Sequence, residues 1–302
     1  MALRLMTMNT YLVPAWFTKN TSCKNQDTRA AGIGDLCVAE NTDIVTLQEV
    51  WGSNTHLVQR PLENAGYFVL PGYSSWGHTI LDTVAQRLGT KGGLWGAHKP
   101  SVQVLDQWKH QFSISETRSG KGALFVLYDA SGIWGEHSRL LLTTTHLDPF
   151  SEKNQITQIK EIAEQLKRGV PRLIDQGLVR QAGDLAVVIT GDTNIAGSDN
   201  HLYAAMLASL HNARDLHAEA SEGELKCQDS HTYDDRNSLC EWRGGRLDYI
   251  LATDSVPALQ DGAPPVQLAR VSGQNFRILR QPVGHELSDH WAVIGDLSFT
   301  PR

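Results

Sequence analysis

Apolar residues gather in short runs along the chain, and most of those runs stop abruptly at a polar residue. Leu3–Met8, Ile44–Gln48, Ala123–Tyr128, Leu140–Thr145, Leu185–Thr190, Leu247–Ala252 and Trp291–Leu297 have strand length, and most are rich in Val, Ile, Leu and Thr. Near-continuous apolar runs of this kind suit strands covered on both faces. A second periodicity alternates with the first. Ile156, Ile159, Ala163 and Leu166 recur at helical spacing with Lys, Glu and Gln between them, and Ser151 stands in front as an N-cap. The pattern predicts further helices over Thr28–Glu40, with Ile33 and Leu36 on the inner face, and near His201–Leu210. Strands interleaved with helices predict an α/β layered sandwich. Thr253–Glu286, with Pro257, Pro264, Pro265 and Pro282, is the least regular stretch and reads as a long surface excursion.

No repeat, low-complexity tract or linker divides the 302 residues, so 1–302 are read as one domain. No run is long and apolar enough to cross a bilayer. Met1–Met8 lack a basic region followed by a long apolar one and read as a first strand. The residues leave two compartments open for a soluble protein: the cytoplasm, or the exterior after removal of a signal. Peripheral contact with membranes fits either.

Charge narrows the choice of partner. Twenty-seven Lys and Arg against 33 Asp and Glu give a net charge of −6. Nucleic-acid binders usually carry a basic excess, which disfavours DNA or RNA here. An acidic excess suits a cation site, and equally suits solubility. Cys23, Cys37, Cys227 and Cys240 show no close metal-ligand spacing. Cys227 and Cys240 bracket a short polar loop, and spacing alone leaves both a disulfide and two thiols open.

The ends of the apolar runs carry the chemistry. The first ends at Asn9 and the second at Gln48-Glu49; later ones end at Thr145-His146-Leu147-Asp148 and Gly191-Asp192-Thr193-Asn194. Arg246-Leu247-Asp248-Tyr249 and Ser288-Asp289-His290 mark two more. In a layered α/β fold the strand ends share one rim, where ligands bind. Each piece alone has a plainer reading. Asp192-Thr193-Asn194 suits an Asx turn, Glu49 a surface carboxylate, and His146 and His290 partly buried histidines. Their joint occurrence at six strand ends favours a site. Oxygen ligands without sulfur suit Mg²⁺ or Mn²⁺, with Glu49 as the hard anion and Asn9 as a neutral oxygen. Asp192 can take a proton from water, and Asn194 can donate to a phosphate oxygen. Asp248 paired with His290 would keep that imidazole oriented and protonated.

In this order the motifs resemble those of the endonuclease/exonuclease/phosphatase superfamily, the metal-dependent fold shared by deoxyribonuclease, abasic-site endonuclease, inositol polyphosphate 5-phosphatase and neutral sphingomyelinase. The resemblance runs from Asn9 to His290, and within it the neutral sphingomyelinases are most similar. Asn9-Thr10-Tyr11 followed by Trp16-Phe17 and Arg29, Leu47-Gln48-Glu49-Val50-Trp51, and Lys91-Gly92-Gly93-Leu94 with His98-Lys99-Pro100 resemble segments of that branch. So do Ser119-Gly120-Lys121-Gly122-Ala123, Thr145-His146-Leu147 and Arg246-Leu247-Asp248-Tyr249. Thr193 departs from the usual Leu or Phe, and Trp76–Lys91 is a local elaboration.

The resemblance implies a four-layered α/β sandwich, two mixed β-sheets packed face to face with helices outside. It implies Mg²⁺ as cofactor, with Mn²⁺ or Co²⁺ able to substitute, held among Asn9, Glu49, Asp192, Asn194, Asp289 and His290. His146, Asp192, Asn194, Asp248 and His290 are then the catalytic group, and Lys121, Trp16 and Phe17 the substrate contacts. The implied substrate is a phospholipid at a membrane surface, sphingomyelin cleaved to ceramide and phosphocholine. The alternative is a nuclease or a soluble phosphate-ester phosphatase on the same fold. Trp16, Phe17 and Trp51 would rest at the lipid interface, where amphipathic rings are favoured.

Overall fold

The computed structural model describes residues 1–13, 25–51, 54–70, 93–115, 120–221, 228–241 and 244–302. Trp16, Phe17, Cys23 and Cys227 lie outside these residues, and with them the aromatic pair and the Cys227–Cys240 pairing. The first six-stranded sheet contains β1 (Leu3–Leu12), β2 (Ile44–Val50), β3 (Phe68–Val69) and β4 (Trp95–His98). The second contains β5 (Gln103–Gln111), β6 (Gly122–Asp129), β7 (Arg139–His146), β8 (Leu185–Asp192), β9 (Arg214–Asp215) and β10 (Asp248–Thr253). β11 (Ser255–Val256) and β12 (Val266–Gln267) form a small separate pair. β13 (Arg270–Leu279) and β14 (Ala292–Thr300) return to the first sheet, giving the orders β13-β14-β1-β2-β4-β3 and β5-β6-β7-β8-β10-β9.

Each sheet holds one parallel pair near its middle, β1 with β2 and β7 with β8, among antiparallel neighbours. A parallel pair brings two C-terminal ends to one edge. Asn9 is therefore level with Gln48, and His146 with Asp192. Antiparallel β10 begins at that edge, with Asp248 opposite Asp192.

Alternation along single strands builds the layers. Leu140, Leu142, Ala186 and Val188 join Leu3, Leu5 and Met8 in one buried cluster. Their neighbours Leu141, Val187 and Ile189 face the other way, onto Ile159, Ile162 and Leu166 of α4 (Glu152–Asp175). α1 (Gln26–Ala39) and α2 (Thr55–Asn64) cover the first sheet, α3 (Ser131–Trp134) is a single turn, and α5 (Asn200–Ser209) joins α4 outside the second sheet. The result is helix, sheet, sheet, helix. The apolar residues in the middle of the second sheet are thus covered on both faces, each large side chain worth about 1.5–3 kcal/mol when fully buried. Ser151 caps α4 by accepting from Asn154 N at 3.3 Å, as the sequence predicts.

Towards the edge where these strand ends meet, the interior turns polar. Gln48 Nε2 donates to Thr7 Oγ1 (3.2 Å) and across the sheets to Thr144 Oγ1 (3.1 Å), and Thr46 meets Thr190 at 3.1 Å. These bonds fix the spacing of the sheets just below the strand ends.

Two sequence expectations differ from the structure. Thr253–Glu286 is not a surface excursion throughout, because Arg270–Leu279 is a ten-residue edge strand whose polar residues face water. β4 and β5 do not stand out as apolar runs, the latter because its mixture of Gln, Asp, Lys and His breaks up the pattern. On α1 the inner face carries Ile33 and Cys37, while Leu36 is half-buried. No helix among the described residues is long and apolar enough to cross a membrane.

Candidate active site

Asp192 is the hub of the polar edge. Gly191 before it has φ +127°, and a Cβ there would lie 2.0 Å from Thr145 O, so only glycine lets β8 reach this position beside β7. Asp192 Oδ1 accepts from Asn194 N at 2.8 Å, which closes the expected Asx turn. Its Oδ2 accepts from Asn9 Nδ2 of the opposite sheet at 2.9 Å. Two imidazoles flank the same carboxylate: His146 Nε2 at 3.4 Å and His290 Nε2 at 3.8 Å from Oδ2.

His290 is held from behind. Its Nδ1 lies 2.8 Å from Asp248 Oδ2, and both groups are buried. Burial opposes the imidazolium, but Asp248 and Asp192 outweigh it and raise the His290 pKa well above its ordinary value. His146 is the opposite case. Burial, reinforced by Lys121, pulls its pKa down to about 3, so this imidazole is neutral. Its Nδ1 has no hydrogen-bond partner among the described residues. One edge therefore carries a charged and an uncharged histidine on either side of Asp192.

Glu49 leaves β2 with φ +58°, a left-handed conformation costing about 1–2 kcal/mol for a residue with a Cβ. The strand closes behind it through Val50 N to Gly93 O at 2.8 Å. Glu49 Oε1 lies 3.8 Å from His146 Nε2. Burial, then the nearby Asp289, pushes its carboxyl up to about 7. Burial likewise lifts Asp289 to about 6. Lys121 is buried rather than solvated: Nζ donates to Leu147 O at 2.6 Å, and burial lowers it to about 8 against the pull of Glu49, Asp192 and Asp148. Asn194 Nδ2 donates to the same Leu147 carbonyl at 3.0 Å.

Ligand-type atoms of Asp192, Asp248 and His290 lie within 4.8 Å of one another. That cluster already contains the His290 cation. Negative charge is less well balanced around Glu49 and Asp289, two partly buried carboxyls; Asp289 helps raise Glu49, and Asp192 helps raise both. Asn9 Oδ1 accepts from Tyr11 N at 3.1 Å and has a second lone pair to offer. Buried carboxylates with a neutral oxygen and no thiolate fit a hard divalent cation.

Two residues that the sequence motifs include without a role are structural. Ser288 Oγ donates to Asn9 O at 2.7 Å, accepts from His290 N at 3.2 Å and lies 3.2 Å from Asp289 Oδ1. It thereby joins the last motif to the first. Arg29, buried in α1, donates to Thr10 O (3.2 Å), Tyr11 O (2.8 Å) and Leu287 O (2.9 Å). An arginine on the inner face of a helix was the signal available for it. Trp51, placed at the lipid interface by sequence, is buried instead; a Cβ on Gly93 would meet its indole at 2.4 Å.

The Endonuclease/Exonuclease/phosphatase family model matches residues 7–290, spanning every one of these strand ends. The chain belongs to this family. Members of the endonuclease/exonuclease/phosphatase family are phosphodiester hydrolases that use divalent metals. No curated protein sequence matches this chain. Among solved structures, the fold is similar to Staphylococcus aureus beta toxin, with a TM-score of 0.64 and 18% identity over 97% of this chain and 99% of that one. Sphingomyelinase C from Streptomyces griseocarneus gives 0.62 and 18% over 98% and 99%. D. rerio TDP2, solved with a single-strand DNA product, also gives 0.62 and 18% over 98% and 99%. At such identities the likeness speaks for the fold.

Proposed function

We propose that this chain is a divalent-metal-dependent phosphodiesterase of the sphingomyelinase type, releasing the phosphate headgroup of a membrane phospholipid. The observation that carries the hydrolytic reading is the line Asp248–His290–Asp192, with spacings of 2.8 and 3.8 Å, beside Glu49. In this reading Asp192 accepts the proton of the attacking water. The His290 imidazolium, held by Asp248, faces the charge that grows on the phosphoryl group. Neutral His146 donates to a phosphate or leaving-group oxygen, and Lys121 and Asn194 position the ester. Glu49, Asn9 and Asp289, with Asp192 and Asn194 beside them, are the residues that would hold Mg²⁺, or Mn²⁺ or Co²⁺ in its place; His290 as an imidazolium has no lone pair to offer the ion. When bound, such an ion supplies Lewis-acid polarisation of the phosphoryl oxygen and neutralises charge.

The lipid headgroup is preferred over nucleic acid for two reasons. The order and wording of the motifs resemble the sphingomyelinase branch, and a net charge of −6 suits a polyanionic strand poorly. The deciding assay compares phosphocholine release from sphingomyelin and phosphatidylcholine vesicles with cleavage of single-stranded DNA, with and without Mg²⁺. Mg²⁺-dependent phosphocholine release with intact DNA is expected. DNA cleavage without phosphocholine release would replace the lipid reading by a nuclease.

A further inference from the structure

Asp248 and His290 come from different sheets, one at the start of β10 and the other just before β14. A segment that belongs to neither sheet runs between them. Thr232 N and Tyr233 N both approach Gly245 O, at 3.1 and 3.0 Å, and Tyr233 is bridged on its other side to His290. The packing is close: a Cβ on Gly244 would lie 2.9 Å from Tyr233 O. Thr232 is fully buried at the centre of this strap. Its Oγ1 accepts from Leu247 N (3.0 Å) and Asp248 N (3.1 Å), occupying both lone pairs. Its carbonyl accepts from Trp291 N at 2.7 Å. Further along the strap, Asn237 Nδ2 donates to Ser288 O at 2.8 Å.

One threonine therefore grips the peptide of Asp248 with its hydroxyl and the peptide after His290 with its carbonyl. The need for such a grip is visible in Asp248 itself. Its Oδ2 meets His290, while its buried Oδ1 has no hydrogen-bond partner. Among the described residues no other side chain steers this carboxylate, so its aim depends on where its backbone is held.

We propose that Thr232 is a positioning residue for the hydrolytic reaction: it clamps the backbones of Asp248 and His290 in register and so sets the Asp248 Oδ2 to His290 Nδ1 hydrogen bond. The inference rests on the reading of that pair as part of the catalytic group. Thr232→Val keeps the shape and removes both acceptor lone pairs, whereas Thr232→Ser keeps them. With bis(p-nitrophenyl) phosphate and Mg²⁺, Thr232→Val should lower kcat by about tenfold to a hundredfold with KM little changed, and Thr232→Ser should recover most of it. A double-mutant cycle with Asp248→Asn separates positioning from general loosening. If Thr232 acts through Asp248, the double variant loses no more than the worse single one; losses that multiply overturn the proposal.

A second readout does not depend on turnover. The low-field proton resonance of His290 Nδ1–H should shift or broaden in Thr232→Val and persist in Thr232→Ser. An unchanged resonance in Thr232→Val overturns the clamp even if no phosphodiester tested is hydrolysed. Should Thr232→Val melt below the assay temperature, Thr232→Ala replaces it in the cycle, its smaller side chain admitting water to the two N–H groups.

Discussion

Asn9 and Asp192 stand 183 residues apart on different sheets, and a 2.9 Å hydrogen bond from Asn9 Nδ2 to Asp192 Oδ2 joins the two halves of the sandwich at their polar edge. The bond uses the amide nitrogen of Asn9 and leaves its oxygen for other work. It also limits the freedom of the carboxylate that the proposed reaction needs as a base. Asp192→Asn should reduce kcat by about two orders of magnitude or more with the fold intact. Asn9→Ala should cost less on kcat and also raise the Mg²⁺ concentration for half-maximal rate. Circular dichroism and steady-state kinetics on the same preparations check both, and a wild-type rate for Asp192→Asn would remove this residue from the reaction.

The raised carboxyls of Glu49 and Asp289 give a second expectation, about the metal. Excess chelator should abolish turnover, and Mg²⁺ or Mn²⁺ should restore it. Glu49→Gln keeps the shape but offers a much poorer ligand to a hard cation, so its activation curve should move to higher Mg²⁺. Full turnover in chelator would end the metal-dependent reading.

His290 and Asp248 should differ in the size of their effects. His290→Ala removes the imidazole and should lower kcat by about two orders of magnitude or more. Asp248→Asn leaves the imidazole and removes its charge support, so the loss should be smaller. Were His290→Ala to retain near-normal turnover, the assignment of His290 to the charged role would fail.

Much of this site was legible in the sequence because its residues sit where apolar runs end. A strand such as Leu185–Asp192 is apolar until its last polar residues, and the parallel pairs carry those ends to one edge. Two of the edge strands, β5 and β13, were less legible. β5 and β13 expose alternate polar side chains to water, so neither forms a continuous apolar run. Thr232 was not legible at all. Its importance lies in two N–H groups from residues 247 and 248, and a threonine in a polar loop carries no sign of them. Lys121 was ambiguous for the same reason, since burial in the site depends on chain segments distant in sequence.

Away from the site, the Arg4–Asp296 pair sets a pH dependence of stability. Arg4 Nε donates to Asp296 Oδ1 at 2.8 Å, and Asn275 Nδ2 donates to Oδ2 at 2.9 Å. The Arg4 hydrogen bond, helped by Asn275 and opposed by burial, holds the Asp296 carboxyl below its ordinary value. A carboxyl depressed in the folded state adds stability above its unfolded pKa, about 3.9, and that contribution fades as pH falls through the folded value. Arg4 is partly exposed, so screening limits the effect to about 0.5 kcal/mol. Asp296→Asn should therefore lower Tm slightly at pH 7 and by less below about pH 4. A gap that widens on acidification would contradict the sign.

The lipid reading carries one further expectation, about how the active edge meets a bilayer. A phosphodiester in a membrane lies at headgroup depth, so part of the rim must enter the interface, where aromatic rings are favoured. Trp51 is excluded from that role by its burial against Gly93. Trp16 and Phe17 remain, in the connection between Leu12 at the end of β1 and Gln26 at the start of α1. On the described part of the same edge, Phe150 is 76% exposed four residues beyond His146, which gives the rim an apolar point of its own. Replacing Trp16 and Phe17 together by alanine should impair hydrolysis of vesicle-borne lipid. A soluble phosphocholine ester should be hydrolysed almost as before, because Glu49, Asp192 and His290 are untouched. Vesicle co-sedimentation should weaken in parallel with the loss on lipid. Equal losses on the two substrates, with sedimentation unchanged, would instead assign the pair to the pocket or the fold and remove these aromatics from the membrane contact.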